Sequence, residues 1–98
     1  MQKQRLRNLT TKKLHTEIDH VYKDLEFITG TPGIMTHQLP NILTAVEPWL
    51  KDKVKDPEYW DGEYNPALKG ELELTPATAI ERQAIMSRFA ELPSLLFD

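Results

Sequence analysis

The stretch LHTEIDHVYKDLEFI, residues 14–28, decides the fold class. Its apolar residues Leu14, Ile18, Val21, Tyr22, Leu25 and Ile28 recur mostly at steps of three and four, the period of one helix face and not of a strand. Thr10 or Thr11 offers a side-chain oxygen to cap its start, and Gly30 suits the left-handed conformation that ends a helix. On the outer face Asp19 and Lys23 stand four apart, a spacing at which opposite charges pair.

Downstream, Thr31-Pro32-Gly33 makes a turn and a second stripe follows at Leu39, Ile42, Leu43, Val46, Trp49 and Leu50. This helix starts between Thr36 and Gln38, because Pro40 has no N–H and fits only a first turn. Pro48 removes the bond to the Thr44 carbonyl, which predicts a kink in a helix running to about Lys53. Thr75-Pro76 reads as a cap followed by proline and opens a third helix over Ala77 to Leu92, with Ile80, Ala84, Ile85, Phe89 and Leu92 inward. The tail Ser94-Leu95-Leu96-Phe97 is apolar enough to dock on the body or on another chain, so an oligomer formed through it is an expectation. The expected core is Ile18, Val21, Leu25, Ile42, Leu43, Val46, Ile80, Ile85 and Phe89.

Between the second and third helices, residues 55–70 hold Pro57, Gly62, Pro66 and Gly70 and show no sustained period, which predicts a long structured loop. Glu71-Leu72-Glu73-Leu74 alternates as a short strand does, with residues 63–66 as its local pairing candidate. A chain of 98 residues with a 40% apolar share suits one core. The reading is therefore a single, mainly helical domain of three helices with a long acidic aromatic loop. It divides into a basic arm (1–9), a helical pair (10–54), the loop and short strand (55–74), and a helix with an apolar tail (75–98).

Charge is unevenly distributed. The net charge is −3, yet Lys3, Arg5, Arg7, Lys12 and Lys13 give residues 1–13 a charge of +5 with no acid, leaving −8 for the remainder. A basic arm suggests phosphate contacts by those five residues, although most such arms are solvated termini. Between residues 56 and 73 six acids face only Lys69, amid Tyr59, Trp60 and Tyr64. The absence of cysteine excludes disulfides, thiol nucleophiles and cysteine-bound metal, and suits a reducing cytoplasm. No apolar run is long enough to span a bilayer, and the polar start Met1-Gln2-Lys3-Gln4-Arg5 is unlike a secretion signal.

The residues that carry chemistry form no catalytic pattern. His15 and His20 are five apart, which on a helix turns them to different faces, so no metal site is expected from them or from His37. No phosphate-cradling glycine motif or serine elbow is present, and no cofactor is implied. Glu71 and Glu73 share a strand face, where acids ordinarily serve as solvating charge. Thr36-His37-Gln38 reads as a polar cap in preference to an anion site. The loop aromatics have two readings. They either fold back over the core, or form with Glu58, Tyr59, Trp60, Asp61, Glu63 and Tyr64 a partner-binding patch, with Pro57 and Gly62 holding Trp60 at a projecting tip.

Thr36-His37-Gln38-Leu39-Pro40, with Gly30 before it and Glu47-Pro48-Trp49-Leu50 after it, resembles a family of small bacteriophage and prophage proteins of uncharacterised function with a Thr-His-Gln-Leu-Pro core. The resemblance covers roughly residues 9–54, and Asn41 stands where that pattern has a basic residue. It implies a phage accessory protein that works by occupying a surface of a host complex. The expectation is thus a non-enzymatic, cytoplasmic protein that inhibits or modulates a host protein complex, a nuclease or defence system above all. The alternative is a nucleic-acid-binding protein acting through Lys3, Arg5, Arg7, Lys12 and Lys13.

Overall fold

Leu6 and Leu9 stand three apart near the start of the chain, and both are buried. In the computed structural model, which describes residues 1–63 and 65–93, they belong to a helix that the sequence pattern did not announce. The protein is mainly helical: α1 (Lys3–Thr11), α2 (Ile18–Thr29), α3 (Leu39–Lys53) and α4 (Ala79–Glu91), with short 3-10 turns at Thr36–Gln38 and Pro57–Tyr59. The expected basic arm is therefore α1. It packs against α2, α3 and the Pro57–Tyr59 turn.

The first stripe consequently begins later than its period suggested. Lys12 takes a left-handed backbone conformation that ends α1 (φ 60°). Asn8, itself buried, then organises the connection to α2. Its Oδ1 accepts hydrogen bonds from the amides of His15 (2.6 Å) and Thr16 (3.2 Å), and its Nδ2 donates to Thr16 Oγ1 (2.7 Å). These bonds hold residues 14–17 out of the helix, and so Leu14 (59% exposed) and Ile18 (44%) lie outside the core expected for them. Gly30 ends α2 as expected, with φ 67° and its amide donating to Glu26 O (2.8 Å). Asp19 and Lys23 form no ion pair among the described residues; Asp24 instead takes Arg5 in a bidentate pair (2.6 and 3.0 Å) across α1 and α2.

Helix α3 is the central element. Pro40 occupies its first turn, and Pro48 is accommodated inside it. Both Thr44, whose carbonyl loses its donor, and Pro48 are exposed, so water can serve that carbonyl. Helix α4 runs antiparallel along α3: Lys53 Nζ meets Glu81 Oε2 (3.0 Å), Arg88 Nε donates to Ala45 O (2.9 Å), and Asn41 Nδ2 donates to Pro93 O (2.8 Å). Its cap is Thr78, three residues beyond the expected Thr75. Thr78 Oγ1 accepts from the Glu81 amide (3.2 Å) while Glu81 Oε1 accepts from the Thr78 amide (2.9 Å).

The core gathers Leu6, Leu9, Val21, Leu25, Ile28, Ile42, Leu43, Val46, Trp49, Leu50 and Ile85, with Phe89 and Met86 partly buried against it. Ile80, expected inside, is 79% exposed, and Ala84 is exposed as well. The expected strand at Glu71–Leu74 reduces to one antiparallel bridge, between Glu71 and Gln2, where residues 63–66 had been the candidate partner. The alternation itself holds: Leu72 and Leu74 pack on the core while Glu71 and Glu73 face water. No helix among the described residues is long and apolar enough to cross a membrane. The tail Leu95-Leu96-Phe97 and Tyr64 lie outside the described residues.

Candidate functional site

The acidic loop is fastened to α1 through its backbone. Gln4, Arg7 and Thr10 recur every three residues along one side of α1 and donate to successive loop carbonyls. Thr10 Oγ1 donates to Tyr59 O, Arg7 Nη2 donates to both Asp61 O and Glu63 O, and Gln4 Nε2 donates to Asn65 O (2.7 Å) and Leu68 O (3.0 Å). The line continues through the Lys3 amide to Gly70 O (3.0 Å) and the Leu72 amide to Met1 O (2.9 Å). A loop carrying this many carbonyls cannot be buried without donors, and α1 supplies them. Arg7 is fully buried, and its Nε and Nη1 find no partner among the described residues. Its charge, after burial itself and ahead of Lys13, lowers the pKa of nearby His15.

Local turns complete the loop. Asp56 Oδ1 accepts from the Glu58 amide (3.0 Å), Asp61 Oδ1 from the Glu63 amide (3.1 Å), and Asn65 Oδ1 from the Ala67 amide (3.0 Å). Gly62 faces Lys13 so closely that a Cβ there would come 3.0 Å from Nζ. With the carbonyls of Tyr59, Asp61 and Glu63 bound to α1, the side chains of Asp56, Glu58, Asp61 and Glu63 are exposed, an acidic ridge on a fixed backbone.

Tyr59 and Trp60 do not project from this ridge. Tyr59 is buried, and burial, reinforced by Asp56 and Glu58, raises its pKa. Trp60 is half-buried against the core, its Nε1 donating to Val54 O (2.9 Å), with Lys51 Nζ 5.9 Å from the ring centroid. Trp60 as the tip of a projecting loop is therefore corrected: its indole N–H needs an acceptor, and Val54 provides one on the body side. Of the six expected patch residues, the structure brings Glu58, Asp61 and Glu63 to the surface and sets Tyr59 and Trp60 beneath them.

Other candidates resolve as local structure. The Gln38 side chain accepts from the Met35 amide (2.9 Å), so Thr36-His37-Gln38 caps itself, and Thr36 Oγ1 accepts from Tyr22 Oη (3.2 Å). His15 and His20 bond the hydroxyls of Thr11 (3.1 Å) and Thr16 (2.9 Å) respectively. Among the described residues no three His, Asp or Glu side chains converge as metal ligands do. The sequence reading missed Gln4 and Asn8 and gave Arg7 and Thr10 other roles, a phosphate contact and a cap for the next helix, whereas both lie inside α1 and bind the loop, and α2 starts after Glu17 without a side-chain cap. The visible signal for them was a polar row at helical spacing beside Leu6 and Leu9.

Residues 1–70 match a family model described as a Domain of unknown function (DUF7736). The chain belongs to that family. The DUF7736 match begins before α1 and ends at Gly70, whose carbonyl is bound by the Lys3 amide, so the matched region contains both the fastening helix and the ridge. No curated protein and no solved structure matches the chain.

Proposed function

We propose that this chain is a non-enzymatic accessory protein of phage or prophage origin that binds and modulates a host protein complex through the acidic ridge, a DNA-handling nuclease or defence system fitting it best. One observation supports the choice of surface. The ridge backbone is held by Arg7 and Thr10 while Asp56, Glu58, Asp61 and Glu63 remain exposed. A backbone fixed before association loses little conformational entropy on binding, and fixed carboxylates steer a basic partner. Proteins that handle DNA carry such basic surfaces. The phage origin rests on the resemblance around Thr36–Pro40.

The test is affinity purification of the tagged protein from a bacterial lysate. A stoichiometric partner is expected with the native chain and is expected to be lost with Asp61→Lys/Glu63→Lys. Repeated recovery of the bait alone ends the proposal. The nucleic-acid alternative is weakened by two of its five residues: Arg7 is fully buried and Arg5 is committed to Asp24. Gel shifts at low salt are expected to show no complex. A complex that weakens with salt at a slope near about −0.9 per phosphate contact would restore that alternative.

A further inference from the structure

Residues 71–76 alternate in exposure: Glu71, Glu73 and Thr75 face water while Leu72, Leu74 and Pro76 are half-buried, which is the two-residue repeat of an extended strand. One side of this segment is paired. The Lys3 amide donates to Gly70 O (3.0 Å), the Leu72 amide donates to Met1 O (2.9 Å), and the Met1 nitrogen donates to Leu72 O (2.9 Å), framing the antiparallel bridge of Gln2 with Glu71. Successive residues of a strand send their N–H and C=O to opposite edges, so Glu71 and Glu73 turn theirs away from residues 1–3. Among the described residues no backbone group bonds the amide or the carbonyl of Glu71 or Glu73. An open cleft of about 400 Å³ runs beside the same stretch, lined by Met1 and residues 71–75. The segment thus presents an unpaired strand edge.

We propose that this edge takes an extended basic segment of a partner protein as an added strand. Between Gly70 and Thr78 the charged residues are Glu71 and Glu73, both exposed and on one face, so lysine or arginine at alternate positions of the added strand would stand directly opposite them. Its intervening apolar side chains would lie beside the half-buried Leu72 and Leu74. Main-chain bonds give affinity and the alternation gives selectivity, at small entropic cost because the receiving backbone is already extended. The same charges turn away a second copy of this chain: antiparallel self-pairing centred on Leu72 or Glu73 sets Glu71 against Glu73, or Glu73 against itself. The inference does not rest on the acidic ridge, whose carboxylates lie at positions 56–63.

The probe is a short synthetic peptide in which lysine alternates with valine, titrated into the isotope-labelled full chain. The amides of Glu71 and Glu73 are expected to shift and to gain protection from exchange, while the Leu72 amide, already bound to Met1 O, changes little. N-methylation of the peptide at its lysines keeps every charge but removes the donors that face the edge, and is expected to weaken binding on the order of tenfold. Glu73→Pro removes one N–H from the edge itself and is expected to weaken binding similarly with the melting temperature held. No change at Glu71 and Glu73 overturns the proposal. Equal binding of the methylated peptide does so too, since attraction to the carboxylates alone would then suffice, and so do peptide-induced shifts confined to residues 56–63. Protection of the Glu71 and Glu73 amides on concentrating the protein without peptide would put a second copy on the edge and equally overturns it.

Discussion

Helices α1 and α4 both lie against the central part of the molecule, and they are helical for opposite reasons. In α1 five consecutive residues, Leu6 to Thr10, are buried, although the helix has no side-chain cap and no acid in its first turn. Its polar side chains are spent on other parts of the chain: Arg5 on Asp24, Arg7 on the loop, Asn8 on the connection to α2. In α4 only Ile85 is fully buried, while a reciprocal Thr78–Glu81 capping box and the Lys53–Glu81 pair fix its start. One helix is held by what its polar side chains do for its neighbours, the other by its packing along α3 and by the box at its own start. Short helices are marginal in isolation, and these are the two ways out of that difficulty.

Truncation separates them most strongly. Leu6→Ala or Leu9→Ala is expected to cost about 2–5 kcal/mol in denaturant unfolding, whereas Ile80→Ala on α4 is expected to stay within about 0.5 kcal/mol. Equal effects would erase the distinction. Ile18→Ala, at a position 44% exposed, is expected to fall well below Leu43→Ala, at one 8% exposed.

The next effect isolates the polar role of α1. Arg7→Met keeps much of the volume but removes both bonds to the loop, and is expected to cost about 2–3 kcal/mol, the lost charge-assisted bonds being partly offset by relief of a buried charge. Amide exchange across residues 59–63 should accelerate at the same time. Unchanged exchange would mean that the loop holds itself. Trp60→Ala is expected to lower stability too, since its indole packs on the core and bonds Val54. The ridge carboxylates are therefore the better probes of binding.

The effects on α4 are smaller. Thr78→Ala is expected to cost about 1 kcal/mol, the usual value of a cap. The smallest sits in the same box. The bond from the Thr78 amide, and then Lys53, lowers the Glu81 pKa to about 2 from 4.5. A carboxylate lowered on folding stabilises fully above its unfolded pKa and loses that contribution as pH falls through the folded one. The melting-temperature gap between the native chain and Glu81→Gln should thus be constant above about pH 5 and close between 4.5 and about 2. A gap unchanged at pH 2 would remove the carboxylate from the account.

The same contrast explains what the sequence made legible. Features written locally were readable: Gly30 at the end of α2, Pro40 in a first turn, the stripe of α3, and the existence of α4 with its start displaced by a few residues. Helix α1 was not, because Leu6 and Leu9 are only two apolar positions among basic residues, and its burial depends on carbonyls more than 50 positions away. Ile80 erred in the other direction. Its spacing matched the stripe, but with the helix starting at Ala79 it lies in the first turn and turns outward. For the ridge, sequence showed the acids and aromatics but not that the backbone faces inward, since that orientation is fixed by Arg7 and Thr10.

The fastening of the loop also redistributes where the chain can be cut. A protease needs several residues that can leave the body together, and a long loop rich in glycine and proline would ordinarily be the first place attacked. Here the carbonyls of Tyr59, Asp61, Glu63, Asn65, Leu68 and Gly70 are all bound by α1, so opening this stretch means detaching that helix. The short connection from Thr31 to Met35, with Pro32, Gly33 and Met35 exposed and its amides at Thr31, Gly33 and Met35 bound, among the described residues, to the nearby side chains of Thr29, Glu26 and Gln38, becomes the softer point. A nick there would separate α2 from α3 while leaving the acidic ridge and the helix that holds it on either side of the break, still bound to each other.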